Sequence, residues 1–373
     1  MKRTVILVTD GVYPNIIGGM QMHSFRLLEE WLKLGVRVIL FQPKIVKDTL
    51  PIFFHEAIQS KQLLIHSIDK KKDYKWPWSY LMQELLYAIK IKKELNNFTG
   101  NAIYTQGLTG LFIGGFWKKQ HVVHFTNPHG LEPFQDFFNK SISAKIYQWL
   151  FKINFSQASH VVSLGGQLTD ILQRIGVHSS KVEIIPNGIA STWFTSNVSN
   201  SSSKNIKCLF VGRNEKRKGL NNLIEVLKTN LFQRISLTVV GPIPEQQRQK
   251  LPFVNYVGAI TEEKVLKEVI DEHDVLICPS YAEGMPTVIL EAMARGLAII
   301  ATNVGAVSEL VSEKNGWLVQ GVNDEELKTT LTKLLTLTGT ELYAKKLASL
   351  NKIKNFTWDE IAKDTLLKMG VEL

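Results

Sequence analysis

The sequence holds only two cysteines, Cys208 and Cys278. They lie in separate apolar runs and read as core packing, not as a disulfide or a thiolate metal site. Long hydrophobic runs are lacking too. The apolar stretch after Met1-Lys-Arg is only Val5 to Val8, ends at Thr9-Asp10, and is too short for a signal peptide. The weakly polar segment from Gly107 to Trp117 falls short of a bilayer span. A cytosolic chain in a reducing compartment is the expectation. No Asp-x-Asp pair occurs, so the sequence offers no obvious site for a phosphate-bridging divalent ion. The dinucleotide fingerprint Gly-x-Gly-x-x-Gly is missing after the first strand, which argues against an ordinary NAD site. The basic residues form no recognisable nucleic-acid reading motif, and no nucleic-acid partner is expected.

The composition that remains is that of a soluble globular protein, 45% hydrophobic and 21% charged. At 373 residues two domains are favoured over one large α/β domain. The net charge of +10 is uneven. Residues 1–187 carry 22 Lys and Arg against 13 Asp and Glu, whereas residues 188–373 carry 22 against 21. The first half is therefore expected to face an anionic partner. Its densest piece sets Lys70, Lys71, Lys72 and Lys75 beside Trp76 and Trp78. Such a stretch suits an anionic membrane surface or a lipid-linked acceptor. A solvated loop with a few rings packed inward is the alternative.

Apolar periodicity alternates between strands and helices. Strands are expected at Val5–Thr9, Val36–Phe41, Leu63–His66, Ala102–Thr105, Val122–Thr126, Val161–Leu164 and Val182–Ile185. Helices are expected around Met20–Leu34, Tyr80–Leu95, Ser143–Phe155 and Gln167–Ile175. After the turn signal Pro186-Asn187-Gly188 the scheme repeats, with strands at Lys207–Val211, Ser236–Val240, Val254–Val257, Val275–Cys278, Ala298–Ala301 and Trp317–Val319. This alternation argues for parallel sheets covered on both faces, with ligands beyond the carboxyl ends of the strands. The polar stretch 196–205 reads as a loop near the domain junction.

The chemistry gathers in Pro279-Ser-Tyr-Ala-Glu283-Gly284-Met285-Pro286-Thr287-Val288-Ile-Leu-Glu291-Ala-Met-Ala-Arg-Gly296. A buried strand precedes it, Pro286 suits a helix start, and Gly296 suits a helix end. Glu283 then lies on the loop and Glu291 about two helical turns on. Between them are the free N–H groups of a helix start, which attract anions. Two hydrogen-bond acceptors flanking an anion hole would suit a sugar joined to a diphosphate. A second loop, Gly212-Arg213-Asn-Glu-Lys-Arg-Lys218-Gly219, also follows a strand and opens a helix. Arg213 could grip a phosphate with its planar fork, and Lys218 adds a point charge. Basic residues on such a loop can equally be solvated. Gly18-Gly19, His129 in Pro-His-Gly-Leu-Glu, and Asn187-Gly188 each have a plain reading as turn or structural residues.

The Glu-x7-Glu spacing resembles the signature of the family 4 glycosyltransferases, retaining enzymes with the GT-B fold. The resemblance covers most of the chain and is strongest over 279–311. It implies two Rossmann-like, doubly wound parallel-sheet domains facing across a cleft. Residues 1–187 would form the acceptor side, a terminal helix in 356–373 would pack back on them, and 188–355 would bind the donor. It further implies that Arg213 and Lys218 hold the donor diphosphate and that His129 lies near the donor sugar. Glu291 would meet the ribose and Glu283 the sugar hydroxyls, aided by the backbone from Met285 to Val288. Gly18, Gly19, Asn187 and Gly212 would complete the donor site. Ala306 stands where the family usually has a second Gly after Gly305.

The reaction so implied is metal-independent transfer of a hexosyl unit, with no cofactor, from a UDP- or GDP-sugar. The acceptor would be a saccharide or lipid-linked glycan in cell-surface polysaccharide synthesis, at the inner face of the cell membrane. A sugar-nucleotide 2-epimerase of GT-B fold, a pyridoxal-dependent phosphorylase and a non-enzymatic nucleotide-sugar binding module are the alternatives. Product analysis with and without acceptor, a visible absorption band, and donor binding without turnover would distinguish them in turn.

Overall fold

A computed structural model of the chain describes residues 3–14, 19–44, 50–70, 77–116, 122–129, 131, 134–135, 142–199, 205–321 and 323–373. Side chains at 77–81, 108, 111, 114–116, 143 and 230 are outside the description. The chain divides into two compact units, residues 1–187 with 358–373, and residues 188–357.

The first unit carries a seven-stranded parallel sheet of order β3-β2-β1-β4-β5-β6-β7. Its strands are β1 (Thr4–Val8), β2 (Arg37–Pro43), β3 (Leu63–Ile68), β4 (Ala102–Gln106), β5 (Val123–Asn127), β6 (His160–Ser163) and β7 (Val182–Ile184). The helices are α1 (Gly19–Lys33), α2 (Ile52–Gln59), α3 (Pro77–Leu95), α4 (Gly107–Phe116), α5 (Ile142–Gln157) and α6 (Gln167–Arg174). Alternate side chains of a strand face opposite sides, and both sides of β1 are apolar. Val5 and Leu7 pack with Phe25, Leu28 and Trp31 of α1 and with α2. Ile6 and Val8 pack with Tyr87 and Ile91 of α3 and with Phe112 of α4. Strand order reverses beside β1, because the chain runs outward through β2 and β3 and then returns to β4.

The last helix of the chain, Trp358–Lys368, belongs to this unit; its Ala362 carbonyl accepts from Trp31 Nε1 at 3.3 Å. Two helices lie outside the sequence expectation. The α2 segment is short and strongly apolar, so it carries little amphipathic signal. The α4 segment has four glycines, which disfavour a helix on propensity. Packing overrides that preference: a Cβ on Gly110 would meet Thr105 Oγ1 at 2.8 Å, so glycine lets α4 approach β4.

The second unit has a six-stranded parallel sheet of order β10-β9-β8-β11-β12-β13. Its strands are β8 (Ile206–Val211), β9 (Ile235–Val240), β10 (Val254–Gly258), β11 (Val275–Cys278), β12 (Ala298–Thr302) and β13 (Gly316–Val319). Helices α7 (Leu220–Leu227), α8 (Glu263–Asp271), α9 (Thr287–Ala294), α10 (Val307–Leu310), α11 (Asp324–Thr336) and α12 (Gly339–Ile353) connect or flank them, and the terminal helix of the first unit is α13. Cys208 and Cys278 are free and buried, on the paired strands β8 and β11. Here order reverses between β8 and β11, which makes the loops after these two strands neighbours.

Candidate active site

That reversal brings together two loops separated by some sixty residues of chain. Tyr281 N–H donates to the Arg217 carbonyl at 2.7 Å. Gly219, at φ 71°, lies so close that an added Cβ would stand 2.1 Å from the Pro279 carbonyl oxygen. Only glycine tolerates both the left-handed backbone and that approach. The seam places Lys218 Nζ 2.6 Å from Glu283 Oε1 and Arg217 Nη1 3.7 Å from Glu283 Oε2. Glu215 then joins Arg217 Nε, at 2.8 Å, to Arg213 Nε, at 2.9 Å. The cations at 213 and 218 and the carboxylate at 283 therefore belong to one charged chain, Arg213–Glu215–Arg217–Glu283–Lys218. Glu283 is buried, whereas Arg213 is 66% exposed and able to swing onto an anion.

The loop after β12 closes around Glu283 from the other side. Gly305, at φ 57°, packs its Cα against the carbonyls of Glu283 and Gly284, and Ala306 N–H donates to Gly284 O at 2.8 Å. The close backbone approach falls on Gly305, and buried Ala306 is accommodated. Gly212 N–H is taken by Val240 O at 2.9 Å, and Gly241 admits the Gly212 carbonyl where any Cβ would clash at 1.9 Å.

Helix α9 opens after Pro286, which sits one position before the first helical residue. Met285 and Pro286 are buried, while Thr287 and Val288 are half-buried. No side chain caps this end, and a helix start with unclaimed N–H groups favours negative charge. Gly296, at φ 74°, ends the helix. Glu291 lies in its second turn, and among the described residues no hydrogen bond or ion pair is made to its carboxylate. Burial, with a smaller contribution from Glu263, pushes its pKa up to about 7.

In the first unit a polar cluster forms at the corresponding reversal beside β1. His23 Nδ1 lies 2.9 Å from Asn187 Oδ1, and His23 Nε2 lies 3.4 Å from Tyr104 OH. Asn127 donates to Tyr104 OH at 2.8 Å, and its Oδ1 accepts the His129 N–H at 2.8 Å. The His129 ring stands edge-on to His23 at 5.2 Å. His129 has φ 63°, a conformation that side chains rarely adopt, and its Nε2 is buried without a partner among the described residues. Burial, reinforced by His23, holds the His129 pKa well below the usual histidine range, so the ring is neutral at pH 7. Burial likewise brings His23 down to about 4, against the hydrogen bond to Asn187. Gly19 begins α1 with open space around an added Cβ, and Gly18 lies outside the described residues.

Two family models divide the chain between them: Glycosyltransferase Family 4 over residues 17–192, and Glycosyl transferases group 1 over residues 191–350. The chain belongs to the family 4 glycosyltransferases, with the GT-B fold. An uncharacterized glycosyltransferase of Methanocaldococcus jannaschii is 28% identical over 52% of this chain and 55% of its own length. The chain thus spans about half the length of that relative. The gpi3 subunit of phosphatidylinositol N-acetylglucosaminyltransferase from Schizosaccharomyces pombe is 22% identical over 88% of this chain and 72% of its own length. Sucrose-phosphate synthase from Thermosynechococcus elongatus has the same fold, at a TM-score of 0.76 and 19% identity over 99% and 97% of the two chains. So does the Anabaena protein HepE, whose structure was solved in complex with UDP, at 0.70 and 16% over 99% of each.

One expectation for this glycosyltransferase needs correction. Lys70 was assigned to a solvent-facing basic patch, but its side chain is buried, with Nζ 2.7 Å from Asp10 Oδ1 and 2.5 Å from Glu84 Oε1. Burial opposes its charge, yet the carboxylates of Asp10 and Glu84 outweigh that and hold the ammonium above the ordinary lysine range. The charge is spent inside the unit. Lys71, Lys72, Lys75 and Trp76 fall outside the described residues, as does the Trp78 side chain within α3. Among the described residues no group of three or more His, Cys, Asp or Glu side chains could hold a metal ion. Nor is any helix among them long and apolar enough to cross a membrane. Glu215, Arg217, His23, Tyr104 and Asn127 join these clusters without a role assigned from the sequence. Glu215 and Arg217 lie within the 212–219 loop and His23 four residues after Gly19, whereas Tyr104 and Asn127 sit on β4 and β5 and carry no local signal.

Proposed function

We propose that this glycosyltransferase moves a hexosyl unit, with retention and without a metal ion, from a UDP- or GDP-sugar to a saccharide or lipid-linked acceptor in cell-surface glycan synthesis. The observation that carries the reading is the charged chain from Arg213 to Lys218 around buried Glu283, next to the uncapped start of α9. Fixed cations and helix N–H groups aimed at a diphosphate stabilise it as it leaves, which is where charge develops. Lys218 would bridge the diphosphate and Glu283. Glu283 keeps one oxygen turned to Arg217 and would accept from sugar hydroxyls. Glu291, with no partner among the described residues, would accept from the ribose diol.

As the bond to phosphate breaks, the sugar becomes oxocarbenium-like. The departing phosphate oxygen takes the proton of the attacking acceptor hydroxyl, which enters from the same face. One C–O bond breaks and one forms, and the proton ends on the nucleotide. Neutral His129, with a buried ring nitrogen left to bond, would orient the donor near its sugar. The UDP bound in the HepE structure and the phosphatidylinositol after which the Schizosaccharomyces pombe relative is named are in keeping with this donor and acceptor class.

The test is a thermal-shift screen of UDP-, GDP- and ADP-sugars with chelator present, followed by transfer assays and NMR of the product's anomeric proton. Transfer in chelator with the donor's anomeric configuration kept is the expected result. An inverted product, a strict metal requirement, or conversion of the donor without acceptor would each overturn the reading.

A further inference from the structure

Helices α3, α4 and α5 lie side by side on one face of the first sheet. Glu84 of α3 accepts from Thr109 of α4 at 2.8 Å, and Asn154 of α5 donates to the Gly110 carbonyl of α4 at 3.3 Å. The buried sides of these helices hold the unit together. Their outer sides carry apolar residues at helical spacing. On α3 the exposed Met82, Leu86 and Ile89 fall at i, i+4 and i+7; on α5 the exposed Ile142, Trp149 and Ile153 fall at i, i+7 and i+11. Trp149 is 61% exposed and Leu86 52%. Singly exposed apolar residues need no explanation, but two stripes flanking the same central helix do.

Charge identifies what covers them. Exposed Lys90 and Lys93 follow the α3 stripe, and exposed Lys145 and Lys152 lie within one turn of the α5 stripe. Helix α5 contains no acidic residue, and on α3 Glu84 is buried, which leaves Glu94 as its one exposed acid. Apolar side chains with an indole among them, flanked by lysines, match the boundary between acyl chains and anionic headgroups. A second copy of the chain fits poorly, because a two-fold contact would set these lysines against their own counterparts. We propose that the outer face of α3 and α5 docks on an anionic phospholipid membrane, inserting Leu86, Ile89, Trp149 and Ile153 while the four lysines meet the headgroups. This extends the reading above, in which a lipid-linked acceptor is met at a membrane surface, and it moves the contact from the 70–78 stretch to the helices beyond it.

The test is flotation of the full chain with extruded vesicles of phosphatidylglycerol and phosphatidylcholine in equal parts, or of phosphatidylcholine alone. The unaltered protein is expected to float with the anionic vesicles and to be released by salt. Trp149→Ser with Ile153→Ser should lower the bound fraction about tenfold or more, since apolar insertion supplies much of the affinity. Lys145→Glu with Lys152→Glu should do the same on anionic vesicles only. Because all four positions are solvent-exposed, the folded state survives, and the thermal shift produced by the tightest-binding UDP- or GDP-sugar of the screen should stay that of the unaltered protein. Flotation unchanged by either double variant, or no flotation of the unaltered protein, overturns the proposal. So does concentration-dependent dimerisation that the Trp149→Ser, Ile153→Ser variant abolishes, which would assign the face to a second copy. If instead no UDP- or GDP-sugar produces a shift while flotation persists, the donor reading fails and the docking face stands.

Discussion

Replacing Glu291 by Gln tests the donor site through a property of the unliganded protein. The folded site raises the pKa of this carboxyl from an ordinary 4.5 to about 7, chiefly by burial. A raised carboxyl pKa means that the fold favours the protonated form. The associated stability is fully present below the unfolded value near 4.5 and is lost as pH climbs through 7. A shift of that size corresponds to about 3 kcal/mol in total, and linkage places most of it between pH 5 and pH 8. Glu291→Gln keeps the shape and removes the ionisation. Its melting temperature should therefore gain on that of the unaltered protein by roughly 5–10 °C over this window.

The same carboxylate is expected to accept hydrogen bonds from a ribose diol, which its ionised form does best. UDP-glucose has no titrating phosphate oxygen in this range, so its affinity should tighten about tenfold per pH unit below 7 and level off above. In Glu291→Gln the affinity should be weaker and flat with pH. Differential scanning fluorimetry of both proteins from pH 5 to 8.5, with calorimetric titration of UDP-glucose, measures all of this. Parallel melting profiles of the two proteins would refute the burial argument. A pH-independent affinity in the unaltered protein would refute the ribose assignment.

Gly219→Ala should cost at least about 2 kcal/mol of stability and abolish the UDP-glucose thermal shift, because its Cβ would force apart the two loops that set Lys218 on Glu283. His129→Gly should stay within about 1 kcal/mol of the unaltered protein by chemical denaturation, as relief of the left-handed backbone and loss of an orphaned nitrogen offset lost packing. Its transfer rate should nonetheless fall by about two orders of magnitude or more. Lys70→Met leaves two carboxylates buried with no cation between them and should destabilise by on the order of 3 kcal/mol. Vesicle flotation of that variant, measured below its melting temperature, should be unchanged.

Strand and helix positions were legible wherever burial imposes a period. β1, β2, β8, β11 and β12 are near-continuous apolar runs because both faces of a parallel sheet are covered. The 279–296 stretch announced its strand, loop and helix through Pro286, Gly296 and the apolar face between them. The glycine-rich α4 was not legible, since only its approach to Thr105 explains why glycines persist in a helix there. Lys70 was misread for a related reason. A lysine in a run of charges reads as solvated, and its burial depends on Asp10, sixty residues before it in the chain, and Glu84, on the helix that follows it, converging on one point. Glu215 and Arg217 sit on a loop without periodicity, so nothing local distinguishes the residues that link Arg213 to Glu283.

The sequence alone determined the α/β alternation, the chemistry stored at the strand ends, and the family, because hydrophobic period, helix-start signals and short motifs are local. The order of the strands belonged to the tertiary structure. Whether β8 neighbours β11 leaves no trace in the pattern of either strand, since any apolar strand can pair with any other. That one adjacency puts the Lys218 ammonium on the Glu283 carboxylate, just as the return of the chain to β4 sets His23 beside His129. Contact between distant residues is decided by how whole elements pack, and no window along the chain contains it.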